Sequence, residues 1–163
     1  MILRICGDDV SEGDQQFEVQ LSNATSATIQ DGSGLVTITD DESLPTLSIT
    51  PTVLVNEPNA LASQVEAVFT VTLAGPATEQ PVSVQYATAP GTASAGTACA
   101  AKAGDYITQA GTLTFASAKS TQKIQVPICS DSTANEPNET FTVTLTRAAN
   151  AAITQAVGRA IIR

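Results

Sequence analysis

No histidine and no tryptophan occur in these 163 residues, and aromatic side chains make up only 4% of them. The missing histidine removes the usual general base near neutral pH and the commonest metal ligand together. Basic residues are scarce too: seven Lys and Arg stand against sixteen Asp and Glu, for a net charge of −9. Such a surface repels phosphate backbones and anionic lipid, so nucleic-acid binding is excluded as a function class. No run of eighteen apolar residues exists, so no segment reads as a membrane-spanning helix and no membrane insertion is expected. The three cysteines, Cys6, Cys99 and Cys129, are too far apart for a paired-cysteine zinc site. Catalysis lacks its parts as well. Ser and Thr abound without a base, and Glu136 and Glu139 share one short connection with no aromatic sugar platform beside them. The chain is expected not to be an enzyme.

What is there is a repeat. FEVQLSNATSATIQDGSGLVTIT (17–39) aligns without a gap on FTVTLTRAANAAITQAVGRAIIR (141–163), an offset of 124 residues. Phe17, Val19 and Leu21 answer Phe141, Val143 and Leu145; Ile29, Gly34 and Ile38 answer Ile153, Gly158 and Ile162. Upstream, with one residue of slip, Ile5-Cys6-Gly7-Asp8 answers Ile128-Cys129-Ser130-Asp131. Self-similarity at a fixed period marks a tandem, stackable unit. Residues 1–43 are therefore expected to be the C-terminal fragment of a preceding repeat, and 44–163 a complete one. Met1-Ile-Leu-Arg-Ile is too short for a signal peptide and falls where the repeat is already in mid-strand, so the chain is expected to begin inside a longer protein.

Period-two alternation dominates the complete repeat. Val65, Ala67, Phe69, Val71 and Leu73 share one face, as do Ile124, Val126 and Ile128, and Phe141, Val143 and Leu145. Turn residues such as Pro76, Pro81, Pro90-Gly91 and Gly104 separate these runs. The pattern predicts strands over 46–55, 65–74, 81–88, 112–116, 121–129, 140–147 and 157–162, with Pro51 marking an edge or a bulge. Seven strands at this spacing indicate an all-β antiparallel sandwich with Greek-key connections, preceded by part of another sandwich.

Acidic residues gather at strand ends: Glu57, Asp105, Asp131, Glu136 and Glu139 in the complete repeat, and Asp8, Asp9, Glu12, Asp40 and Asp41 in the fragment. Two readings stay open. Clustered loop carboxylates converge oxygens as a hard divalent cation requires, and they also simply solvate a surface.

Val55-Asn56-Glu57, Gly104-Asp105-Tyr106, Gly111-Thr112-Leu113-Thr114-Phe115 and Glu136-Pro137-Asn138-Glu139-Thr140-Phe141, in that order, resemble the Calx-β repeat of sodium/calcium exchangers and many surface proteins. Gly34-Leu35-Val36-Thr37-Ile38-Thr39-Asp40-Asp41 repeats the end of the same pattern. The resemblance implies a seven-stranded immunoglobulin-like sandwich that holds Ca2+ at one end. Its ligands would be Glu57, Asp105, Asp131, Glu136 and Glu139, with Asp8, Asp9, Glu12, Asp40 and Asp41 in the fragment. Neither set is whole: the partners of Asp40 and Asp41 would follow Arg163, and Gln15 stands where the complete repeat has Glu139. The resemblance also brings Cys99 and Cys129 to the same end, implying a disulfide. Cys6 is then left as a free or intermolecularly paired thiol. A structural disulfide suits an oxidising compartment, hence an extracellular or cell-surface setting.

The leading functional expectation is a non-catalytic structural or adhesion module with calcium-associated acidic loops. The first alternative is a subunit of an extracellular filament assembled through the incomplete N-terminal repeat. The second is a calcium-sensing regulatory module of a transporter. The expected partners are neighbouring repeats or further copies of the chain, including a homo-oligomer. Asn23-Ala24-Thr25 and Asn138-Glu139-Thr140 match the glycosylation acceptor pattern, which Thr-rich chains also produce by chance.

Overall fold

A computed structural model of the chain describes residues 2–58, 63–99, 104–116, 120–130 and 137–163. Fifteen strands are present among them: β1 (Val10–Ser11), β2 (Gln15–Gln20), β3 (Ser33–Ile38), β4 (Thr46–Ile49), β5 (Thr52–Val55), β6 (Gln64–Ala74), β7 (Ala77–Thr78), β8 (Val82–Pro90), β9 (Ala95–Gly96), β10 (Tyr106–Ile107), β11 (Ala110–Phe115), β12 (Ser120–Cys129), β13 (Glu139–Ala149), β14 (Ala152–Gln155) and β15 (Val157–Ile162). A six-stranded sheet in the order β14-β4-β6-β12-β10-β9 faces a five-stranded sheet in the order β11-β8-β13-β15-β5. This is the all-β, immunoglobulin-like sandwich expected from the sequence.

Alternation builds the core. Ala67, Phe69, Val71 and Leu73 of β6, Ile124, Val126 and Ile128 of β12, and Phe141, Val143 and Leu145 of β13 are all buried. Each large apolar side chain removed from water contributes about 1.5–3 kcal/mol. At the centre Tyr106 stacks on Phe141 at 4.3 Å between ring centroids, and Phe69 meets Phe141 edge-on at 6.2 Å. The Tyr106 hydroxyl is buried with no hydrogen-bond partner among the described residues, and burial, aided by the charge of Asp105, pushes its pKa up.

The strand expected over 46–55 is two strands in different sheets. Thr50 and Pro51 carry the crossing: Thr50 N–H donates to Thr70 O at 3.0 Å in one sheet, and Pro51 O accepts from Arg159 N–H at 3.0 Å in the other. Proline has no N–H to give to a ladder, so the chain changes sheets there. The short strands β7, β9, β10 and β14 lacked enough alternation to be read from the sequence.

The N-terminal forty residues are organised differently. β2 and β3 form a two-stranded antiparallel sheet among the described residues, and β1 runs parallel to β7 with Val10 opposite Ala77 and Ser11 opposite Thr78. Every buried apolar side chain among the described residues falls between Pro45 and Ile162.

Candidate functional site

The acids assigned from the sequence fall at two places. In the sandwich, Glu139 opens β13 opposite Ile162 of β15, and Ile162 in turn lies opposite Val55 of β5. Glu57 follows Val55, and its N–H donates to Arg163 O at 2.8 Å. Glu57 and Glu139 therefore share one end of the five-stranded sheet. Asp105 is tied to the neighbouring sheet at the same end, because Cys129 N–H donates to Asp105 O at 2.9 Å. The Asp105 carboxylate already has work: it accepts from Ser94 N–H at 2.6 Å and from the Ser94 hydroxyl at 2.9 Å. Sequence reading missed this bracing of the loop, since Ser94 carries no signal beyond being a turn residue. Asp131 and Glu136 lie outside the described residues.

The same end carries the disulfide. Cys99 and Cys129 are joined with their Cα atoms 5.1 Å apart, within the range such bridges span, and Cys6 is free and exposed.

The second place is where the N-terminal segment meets the opposite end of the sandwich. Asp8, Glu12, Asp40, Asp41 and Glu42 line a small cavity of about 50 Å³, together with Cys6, Gly7 and Thr39. Asp9 is exposed and is not part of that lining. Loop geometry explains why the acids converge: Asp8 accepts from Val10 N–H at 2.9 Å, and Asp14 accepts from Asp40 N–H at 3.1 Å, pulling the turn before β2 against the exit of β3. Glu79, which follows β7, lines one cleft with Glu12, and its carboxyl helps to raise the Glu12 pKa. The sequence offered no hint of Glu79, because β7 was not foreseen and nothing local ties 79 to 12.

Crowding of like charge is felt in titration. Partial desolvation, the hydrogen bond with Glu79 and the charges of Glu79, Asp8 and Asp40 together raise the Glu12 pKa above 4.5. Desolvation raises Glu42 likewise, followed by the charge of Asp41 and a hydrogen bond with Asp40. Each of these carboxyls leans on another carboxyl, which favours the protonated form.

Oxygen-only donors suit a hard divalent cation in kind. In spacing they do not: among the described residues no three acidic or thiol side chains converge closely enough to hold a metal ion. The junction acids therefore do not form a ready-made cage.

The Calx-beta domain family matches residues 2–42 and 49–162. The crystal structure of the apo-form Calx CBD1 domain superimposes with a TM-score of 0.59 at 22% identity, covering 74% of this chain and 96% of that one. CBD12 from CALX1.2 gives a TM-score of 0.58 at 22% identity over 72% of this chain and 44% of that longer one. The Calx CBD2 domain gives 0.53 at 15% identity over 72% and 85%. At these identities the structures speak for the fold alone. No curated protein matches the chain. Two stretches matched by one family, on a sandwich of the corresponding architecture, lead to one statement of kinship: the chain belongs to the Calx-beta domain family.

Proposed function

We propose that this chain is a non-catalytic, calcium-responsive regulatory segment, made of one complete Calx-β repeat (44–163) and the C-terminal part of another (1–43). One observation carries this reading: the β1–β7 pairing brings Glu79 to the same cleft as Glu12, whose other neighbours include Asp8, Asp40, Asp41 and Glu42. Like charges held together at a joint store repulsion that a divalent cation relieves, so the joint between repeats is the element whose fit would respond to Ca2+. A solved structure of similar fold, named the calcium binding domain CBD12 of CALX1.1, supports the choice of ion. The sandwich-end acids Glu57, Asp105, Asp131, Glu136 and Glu139 form a second, separate candidate set.

The test is thermal unfolding of the full chain with CaCl2, MgCl2 and EDTA. A ligand that binds only the native state stabilises by RT ln(1 + [L]/Kd), about 2.7 kcal/mol at a hundredfold excess over Kd. Calcium is expected to raise Tm, and the combined change Asp8→Asn, Glu12→Gln, Asp40→Asn and Asp41→Asn to remove most of the rise. A rise that survives those changes would assign binding to the sandwich-end set.

A second reading is favoured by the Cys99–Cys129 bridge: a spacer or adhesion repeat of a secreted or surface protein, since such bonds persist in oxidising compartments. Absence of any calcium effect on Tm would select it.

A further inference from the structure

The strands of the six-stranded sheet are held with very unequal strength. β12 is paired with β6 along all ten of its residues, from Ser120 opposite Leu73 to Cys129 opposite Gln64. At the edge, β10 meets β12 only at Tyr106 opposite Ile128, and β9 meets β10 only at Ala95 opposite Tyr106 and Gly96 opposite Ile107. β10 is nevertheless anchored, because the Tyr106 ring is fully buried and stacks on Phe141. β9 has no such anchor: Ala95 is exposed and Gly96 has no side chain.

A few surface hydrogen bonds and one covalent link keep β9 in place. Ala93 is buried and its N–H donates to Thr140 O at 2.9 Å, which fixes the start of the segment. Ser94 donates to the Asp105 carboxylate from both N–H and hydroxyl, Asp105 N–H donates back to Ser94 O at 2.9 Å, and Thr108 N–H donates to Gly96 O at 3.0 Å. Water competes for both partners of the exposed Ser94–Asp105 contact, so its net contribution is modest. Three residues after β9, Cys99 is joined to Cys129, the last residue of β12. Segment 93–99 is thus pinned at both ends, and a short span pinned at both ends gains little chain freedom when its inner contacts break. Without the bridge the next fixed point is Asp105, whose O accepts from Cys129 N–H at 2.9 Å. The span between fixed points then grows from 93–99 to 93–105.

We propose that the Cys99–Cys129 bridge is a redox-operated latch: its reduction by a dithiol lets β9 leave β10 and bares the Asp105 carboxylate, while the two sheets stay packed. Exposure selects the sulfur that is attacked, since Cys129 is buried and Cys99 only partly so. A thiolate of the dithiol attacks Cys99 Sγ, the S–S bond breaks, and Cys129 leaves as a thiolate that takes up a proton. The second sulfur of the dithiol then displaces Cys99, which is protonated in turn, and closes a disulfide of its own. Two electrons and two protons have passed from the dithiol to the protein. The sandwich tolerates the product, because a buried reduced cysteine packs as a small apolar side chain. Reoxidation is prepared as well: Tyr106, buried and paired with Ile128, keeps β10 on β12 and so keeps Cys129 where Cys99 can return to it.

The experiment uses the full chain carrying Cys6→Ser, so that the exposed thiol of Cys6 cannot exchange with the bridge. Amide hydrogen exchange is followed in the oxidised chain, after reduction with excess dithiothreitol, and after reoxidation. Exchange at Ser94, Asp105 and Thr108 is expected to quicken about tenfold or more on reduction and to slow again on reoxidation, while the β6–β12 amides stay protected over the same labelling time, as a local opening requires. Cys99→Ser, which cannot form the bridge, is expected to show the reduced pattern without reductant. Ser94→Ala with the bridge intact loses the hydroxyl bond to Asp105 and is expected to change Thr108 exchange by less than about threefold, because the covalent link rather than that brace holds β9. A bridge that dithiothreitol does not reduce, unchanged exchange at the three amides after reduction, loss of protection in β6–β12 along with them, or an opening in Ser94→Ala as large as reduction causes would each overturn the proposal.

Discussion

The two copies of one hairpin, β2–β3 and β13–β15, have the same register and lead different lives. Phe141 and Val143 are fully buried, while Phe17 and Val19 at the same ladder positions are only partly buried. A Cβ added at Gly158 would lie 2.6 Å from Thr50 O and 2.7 Å from the Phe69 ring; one added at Gly34 would meet nothing within 4 Å. Alternation and pairing are thus written into a short stretch of chain and survive without neighbours. Burial is not written there, because it depends on strands that arrive from elsewhere in the sequence, here β8 and β5 on the flanks and β6 across the sandwich.

The sharpest way to break the comparison is to truncate the matched phenylalanines. Phe141 touches both Tyr106 and Phe69, so Phe141→Ala is expected to cost about 3–5 kcal/mol, as large-to-small changes at packed aromatic sites do. Phe17→Ala is expected to cost under about 1 kcal/mol of sandwich stability, since Phe17 is not part of the sandwich core. Urea unfolding followed by circular dichroism measures both, and equal costs would mean that the hairpin belongs to the same cooperative core.

The cysteines give the next largest contrast. Cys129 closes a 30-residue loop with Cys99, whereas its upstream counterpart Cys6 is free. Loop-closure entropy puts the bridge at about 3–4 kcal/mol, so the double change Cys99→Ala and Cys129→Ala should lower the urea midpoint markedly while Cys6→Ser leaves it in place.

Much of this is legible in the sequence. Strands β6, β12, β13 and β15 were readable because their buried residues alternate without interruption, and β15 fell at 157–162 as expected. The bridge between Cys99 and Cys129 followed from family resemblance rather than from spacing. The break at Thr50–Pro51 was half legible: the proline marked an irregularity, but that the chain changes sheets there depends on Thr70 and Arg159, which no local pattern connects. Asp105 was marked as a carboxylate of interest, yet its observed role as a brace rests on Ser94, eleven residues away. Glu79 was invisible because its partner Glu12 is reached only through the β1–β7 pairing.

Glycine supplies a smaller test. Gly158→Ala forces a methyl group against backbone and ring, at an expected cost of about 1–3 kcal/mol for overpacking. Gly34→Ala has room and replaces the most flexible residue in a strand, so it is expected to be neutral or to stabilise the hairpin by up to about 1 kcal/mol. Hydrogen exchange at the β2–β3 amides reads the second effect; a loss of protection there would show that the hairpin face is covered in solution.

The weakest expected difference is one of pH, and it separates the junction from the sandwich. Glu12 titrates above 4.5 in the folded chain because it is partly desolvated, shares a hydrogen bond with Glu79 and faces the charges of Glu79, Asp8 and Asp40; Glu42 is raised by desolvation and by Asp41, Asp40 and Asp8. A carboxyl whose folded pKa lies above its unfolded value binds its proton more readily in the native state. Its contribution to stability is therefore complete below about pH 4.5 and is lost as pH rises through the raised folded value. Amides of β1 and β7, corrected for intrinsic exchange rates, should accordingly be better protected near pH 4 than near pH 7, while the β6–β12 ladder, remote from these acids, should change less. Glu12→Gln, which keeps a hydrogen-bonding group without the charge, should hold the junction at its low-pH protection across the range. If wild-type protection at β1 and β7 is the same at both pH values, the contact between Glu12 and Glu79 carries no energetic link between the two parts of the chain.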